Sequence, residues 1–156
     1  MCHQCDYNSI LENSELLPTP NRLKILEIVG NNSRPLSAQD IFETLSRSEE
    51  INRVTVYRIL DLLVGKKVID RISSGGRSFH YGLAPNKNHP SHPHFYCKLC
   101  GNLECLNPEG IYLEIEEIRR TFPGIIEKVE VRLDGVCKTC LRHNRKFRNL
   151  DLLRIS

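Results

Sequence analysis

No run of the 156-residue chain approaches the roughly 18 consecutive apolar residues that a membrane-spanning helix needs. The opening "MCHQCDYNSILENSELL" lacks a basic segment followed by an apolar one, the pattern of an export signal. Together these absences predict a cytoplasmic protein with no membrane partner. Internal repeats and low-complexity tracts are also missing, and the length suits one large domain or two small ones sharing an interface. Charge of one sign is scarce. The net charge is +3; residues 1–85 carry ten Lys+Arg against ten Asp+Glu, and residues 86–156 twelve against nine. Bulk charge therefore makes no case for nucleic acid. Local charge makes a better one: between Ile51 and His80 stand Arg53, Arg58, Lys66, Lys67, Arg71 and Arg77, opposed by Asp61 and Asp70 alone.

Cysteine is abundant, with seven in the chain. Without an export signal, paired cysteines point to metal binding or redox work rather than to structural disulfides. "CKLC" (Cys97, Cys100) and "CKTC" (Cys137, Cys140) are two C-x-x-C knuckles. Each brings two thiolates to one cation, and two of them close a tetrahedral structural zinc site. Two matched pairs argue against a redox role. His92-Pro93-His94 cannot lie inside a regular helix, because Pro93 has no N–H. In extended chain both imidazoles point the same way, and Cys105 follows on a strand paired with theirs, so a second metal site is expected. Cys2 and Cys5 form a further C-x-x-C in a tail for which no role is expected.

The first half has the pattern of a winged helix-turn-helix. "PTPNRLKILEIV" starts on Pro20, a favoured first helical residue. In "SAQDIFETLS", Ser37 is the expected N-cap with Asp40 three residues on, and Ala38, Ile41, Phe42 and Leu45 share one face. "NRVTVYRILDLLVG" turns Val56, Ile59, Leu60 and Leu63 inward and leaves Thr55, Tyr57, Arg58 and Asp61 near the outer face. "VIDRISSGGRSFHYGL" has the pattern of a hairpin. In the second half, a helix is expected from Asn107 and Pro108 to Phe122. A strand is expected through Val129, Val131 and Leu133, ending in a turn at Asp134-Gly135. "FYCKLCGNLECL" is expected as a hairpin and residues 137–153 as a last helix. The fold class predicted is α+β: a winged-helix DNA-binding domain at residues 1–85, a linker at 86–94, and a small zinc-containing α/β dimerisation domain at 95–156.

The motifs "TPNRLKIL", "SAQDIFETL", "VTVYRILDLL", "GGRSFHYGL", "HPHFYCKLCG" and "VCKTC" resemble the ferric-uptake-regulator (Fur) family of metal-dependent repressors, over roughly residues 12–150. The resemblance implies a homodimer that binds an inverted repeat in double-stranded DNA. It also implies a four-cysteine structural zinc and a regulatory metal that locks the DNA-competent pose. By position, Thr55, Tyr57 and Arg58 match the recognition helix, Arg22 the arginine of the first helix, and His92 and His94 the regulatory pair. Arg77, in the wing, is expected to add a DNA contact.

Several positions depart from the family pattern. "ELLPTP" has no minor-groove lysine, and the histidine before the second helix is replaced near Pro35. The two acidic ligands fall at Gly82 and Cys105. An auxiliary site falls on Ser91, Pro93, Tyr112 and Val129, and is expected to be absent. The regulatory site has thus lost oxygen donors and gained sulfur. His92, His94 and Cys105, with His80 as fourth ligand and Asp70 or His89 as alternatives, favour Zn²⁺ over Fe²⁺ or Mn²⁺. A zinc-sensing repressor is expected, an iron or peroxide sensor of the same family being the alternative. A catalytic zinc would need a nearby general base. Only Glu104 is close in sequence, and alternation puts it on the other face from Cys105, so neither an enzyme nor a small organic substrate is expected.

Overall fold

The computed structural model describes residues 5–73, 79–107, 109 and 114–143. Cys2, Arg77, Tyr112 and the outer half of the expected last helix lie outside them. The chain forms two compact units, Met1–Ser91 and His92–Ser156.

In the first unit the order is α1 (Tyr7–Asn13), α2 (Pro20–Asn31), β1 (Leu36–Ser37), α3 (Ala38–Leu45), α4 (Arg53–Gly65), β2 (Ile69–Ser73) and β3 (Phe79–Leu83). The helix starts follow the sequence. Pro20 opens α2. The Ser37 hydroxyl accepts the Asp40 N–H at 3.1 Å while the Asp40 carboxylate accepts the Ser37 N–H at 3.2 Å, a complete capping box. The three strands pair antiparallel in the order β1-β3-β2, with Ile69 opposite Leu83 and Ser73 opposite Phe79. Ile25, Leu26, Ile41, Leu45, Val56, Leu60 and Leu63 are essentially excluded from solvent and form one core with Ile69 and Tyr81. Ile59, expected inside, is only partly buried against it.

This unit contains a fourth helix that the hydrophobic pattern does not announce. Helix α1 is capped by Asp6, whose carboxylate accepts the Asn8 N–H at 3.0 Å, and its Leu11 has no exposed surface. The Tyr7 hydroxyl donates to Asn31 Oδ1 at 3.1 Å, across Gly30, where a Cβ would stand 2.2 Å from that hydroxyl. A seven-residue helix held by one fully buried leucine has too few apolar positions to show a period.

The second unit contains β4 (His94–Cys97), β5 (Leu103–Cys105), α5 (Ile115–Thr121), β6 (Arg132–Gly135) and α6 (Lys138–His143). Its sheet runs β5-β4-β6, with β4 antiparallel to β5 and parallel to β6. The last strand is shorter and later than its alternation suggests. Arg132–Gly135 pairs with His94–Cys97, whereas residues 127–130 join no ladder among the described residues, and a strand exists only where it has a partner. Likewise the helix expected from Asn107 is described only over Ile115–Thr121, and Ile118 and Phe122 on its apolar stripe are exposed. Among the described residues, the buried side chains of this unit come down to Pro93, Leu103, Cys97 and Cys137. No helix among the described residues is long and apolar enough to cross a membrane.

Because Leu11 is fully enclosed, Leu11→Ala should destabilise the first unit by about 2–5 kcal/mol, the range for an emptied leucine site. Denaturant unfolding measures it; a loss below about 0.5 kcal/mol would mean that α1 is not docked in solution.

Candidate metal centres and nucleic-acid face

The first donor cluster is built by two turns. After β4 the chain turns through Cys97–Cys100 and closes on Gly101, whose φ of +72° lies in the left-handed region that glycine occupies without strain. The Gly101 N–H donates to the Cys97 carbonyl at 2.9 Å, and the Cys97 N–H to Asn102 at 2.9 Å. The second knuckle lies at the start of α6, where Cys137 and Cys140 are one helical turn apart. Register brings the two turns together, because Cys97 pairs with Gly135 across β4 and β6.

The four sulfurs lie within 4.8 Å of one another. Cys100 Sγ and Cys137 Sγ are 3.8 Å apart, and the Cys137 N–H donates to Cys97 Sγ at 3.3 Å. A regular tetrahedron with Zn–S bonds of about 2.3 Å has edges of about 3.8 Å, so the cluster is the right size for that cation. Its electrostatics agree. Burial pushes the Cys97 thiol up, but the N–H groups of Cys100, Cys137 and Leu99 together outweigh it and bring it down to about 6. Cys140, hydrogen-bonded to Cys137 and crowded by the other sulfurs, is pushed up to about 12. Without a cation the sulfurs must keep protons between them; a divalent cation replaces those protons.

The second cluster is His92, His94 and Cys105, whose ligand atoms also lie within 4.8 Å of one another. The β4–β5 register sets Cys105 directly opposite His94. A bond from the Leu106 N–H to the Pro93 carbonyl at 2.8 Å continues the pairing past it. Two residues before His94, the His92 ring lies 4.7 Å from that of His94, centroid to centroid. Burial raises the Cys105 thiol, which a bound cation would reverse. Two imidazoles and a thiol converging this closely fit a divalent cation of intermediate softness.

His80 lies on β3 of the first unit, opposite Ile72 and Ser37. It is 9% exposed, and its buried Nδ1 has no hydrogen-bond partner among the described residues. Burial lowers its pKa, Arg34 adds to that and Asp40 opposes it. Burial thus favours the neutral ring, the form that ligates metals. Asp70, also on β2–β3, faces Gly82.

Helix α4 presents Val54, Tyr57, Arg58 and Asp61 to solvent, with Val54 59% and Tyr57 41% exposed. Thr55 is less open. Its N–H and its hydroxyl both donate to Asn52 Oδ1, at 2.8 and 3.0 Å, as part of the N-cap. Asp61 is neutralised by an ion pair with Arg71, which also lies over the Phe79 ring. Arg22 donates to the Leu17 carbonyl at 2.8 Å, so one of its N–H groups is already engaged. Val54 is missing from the sequence-based reading of this face. Its apolar character hid it, since a valine inside an amphipathic helix is expected to face the core.

A winged helix joined to a small sheet unit with clustered thiols and imidazoles is the architecture of metal-dependent DNA-binding regulators. The ferric uptake regulator family model matches residues 13–132. The ferric uptake regulation protein of Bacillus subtilis (strain 168) is 31% identical over 133 residues, covering 83% of this chain and 89% of that protein. Among solved structures, the ferric uptake regulator of Vibrio cholerae has a TM-score of 0.69 at 27% identity, covering 85% of this chain and 100% of that one. A zinc uptake regulator complexed with zinc and DNA has a TM-score of 0.61 at 23% identity, covering 87% and 91%. The chain belongs to the ferric uptake regulator family and is a metal-responsive transcriptional regulator rather than an enzyme.

Loading the four-cysteine cluster should release protons, because sulfurs that share protons at neutral pH become thiolate ligands. Lowering the pH from 7.5 to 5.5 should weaken zinc binding, and calorimetry in buffers of different ionisation enthalpy should count the protons. Binding that ignores both pH and buffer would contradict a thiolate site.

Proposed function

We propose that the protein is a zinc-sensing repressor that binds an inverted-repeat operator as a metal-loaded homodimer in the cytoplasm. The observation that carries the zinc assignment is the donor set of the second cluster. His92, His94 and Cys105 offer two imidazoles and a thiolate, and the positions where the family pattern has acids hold Gly82 and Cys105. Thiolate and imidazole ligands suit zinc, whereas carboxylate-rich sets suit Mn²⁺ and other hard cations. The zinc uptake regulator that shares the fold, solved with zinc and DNA, is in keeping with this reading. A zinc ion asks for a fourth donor; His80 is our candidate, with Asp70 and His89 as alternatives. Cys97, Cys100, Cys137 and Cys140 hold a structural zinc. Tyr57 and Arg58, helped by Thr55, Arg22 and Arg77, contact the DNA. Exposed Ile118, Phe122, Ile125 and Leu133 support dimerisation through this unit.

The second reading is an iron- or peroxide-sensing repressor. What favours it is that relatives at 30–31% identity are ferric uptake regulation proteins. The two readings predict different responses. A metal acts only through its preference for the DNA-competent state; moving a 1:99 balance to 99:1 takes about 5.5 kcal/mol of preference. His94→Ala and Cys105→Ala should keep the structural zinc and the dimer but lose zinc-dependent operator binding. Cys105→Asp should weaken the zinc response and improve the relative response to Fe²⁺ or Mn²⁺. Operator binding titrated with each metal decides between them. A wild-type response to Fe²⁺ alone would favour the iron reading, and a Cys105→Ala protein that answers zinc normally would remove Cys105 from the site.

Arg58→Ala should lose about 1–3 kcal/mol of operator affinity and relax sequence preference at one position per half-site. Uniform weakening across sequences, with a shallower salt dependence, would reassign Arg58 to phosphate.

A further inference from the structure

We infer that Val54 reads the C5-methyl group of a thymine in the major groove of each half-site; this rests on the reading of α4 as the recognition helix. An exposed valine alone signals nothing. Its neighbours in the first turn supply the argument, because each already makes a contact within the unit. The Arg53 guanidinium lies over the Phe42 ring of α3, 5.0 Å from its centroid. The Thr55 hydroxyl is bonded to Asn52 in the cap. Val56 is fully buried in the core. Of residues 53–56, Arg53 and Val54 are exposed; the Arg53 guanidinium is turned onto Phe42, whereas Val54, 59% exposed, projects outward with exposed Tyr57 one turn on along the same face.

The chemistry of that turn suits a base edge. It carries no carboxylate, so nothing there repels phosphate, and the partial positive charge of the helix N-terminus stays unopposed. In a helix-turn-helix the N-terminal residues of the reading helix approach the base edges. Valine has neither a donor nor an acceptor. In the major groove, thymine alone among the four bases presents an apolar group, its C5-methyl. An apolar side chain at this place discriminates by covering that methyl.

The test uses the full-length, metal-loaded protein and a duplex selected by it from a random pool. Each thymine of the selected half-site is replaced in turn by deoxyuridine, symmetrically in both halves, which deletes only the methyl. For the wild type, one position should weaken binding about fourfold per half-site, equivalent to roughly 0.8 kcal/mol for one methyl group. In Val54→Ala that position should become indifferent to the substitution, while thymines sensed by other side chains keep their effect. Val54→Thr retains one methyl and the branched shape, and should retain sensitivity at the same position. Val54 is solvent-exposed and alanine is the better helix former, so melting and circular dichroism should match the wild type. If Val54→Ala and the wild type give the same deoxyuridine profile, Val54 does not read a methyl. If the metal-loaded wild type selects no sequence at all, the DNA-binding reading fails, and this inference with it.

Discussion

Four thiols within 4.8 Å of one another cannot all ionise unless a cation lies between them, and the described residues of the second unit bury few other side chains. Among the described residues its buried side chains are Pro93, Leu103 and two of those cysteines. The structural zinc we propose there would supply about 10–16 kcal/mol of apparent binding free energy, which is comparable to the whole stability of an ordinary domain. The geometry is prepared for it. The left-handed Gly101 and the first turn of α6 each aim two sulfurs at one point, and the parallel pairing of β4 with β6 brings the points together. Ile118, Phe122 and Ile125 are exposed on this unit, which suits the dimerisation we propose for it.

The same sheet makes the second cluster. Strand β4 ends in the thiolate knuckle and begins at His94, so one strand ties the two donor clusters together. Across it, β5 delivers Cys105 opposite His94, while Pro93 keeps His92 out of any helix and two residues back along the extended chain. Four soft sulfurs at one end favour permanent occupancy. Two imidazoles and one thiol at the other offer a second, different donor set, the one we propose for sensing.

In the first unit the outer face of α4 is defined as much by what is occupied as by what is free. Capping takes Asn52 and Thr55, packing takes Val56, Leu60 and Leu63, and Arg71 neutralises Asp61. The exposed side chains that remain include Arg53, turned onto Phe42, and Arg58, Tyr57 and Val54. On the reading we propose, such a surface would combine attraction to phosphate with contacts selective for base edges.

Local chemistry made much of this legible in the sequence alone. Pro20, the Ser37–Asp40 box, the 3.6-residue apolar rows of α3 and α4 and the two C-x-x-C pairs act over a few residues, so they can be read without a fold. The alternation at His92 and His94 also placed both rings on one side. Tertiary structure decided the rest, because it depends on partners distant in sequence. Helix α1 is held by one buried leucine and a tyrosine that needs Gly30 to be bare. Strand β6 begins at Arg132 rather than at Val129, because β4 offers pairing only to Arg132–Gly135. Cys105 faces His94 through strand register, which no periodicity within either strand can fix. Val54 faces water because burial of Val56, Leu60 and Leu63 turns the opposite side of α4 outward, whereas the contact of Arg53 with Phe42 joins two helices, which the order of residues does not reveal.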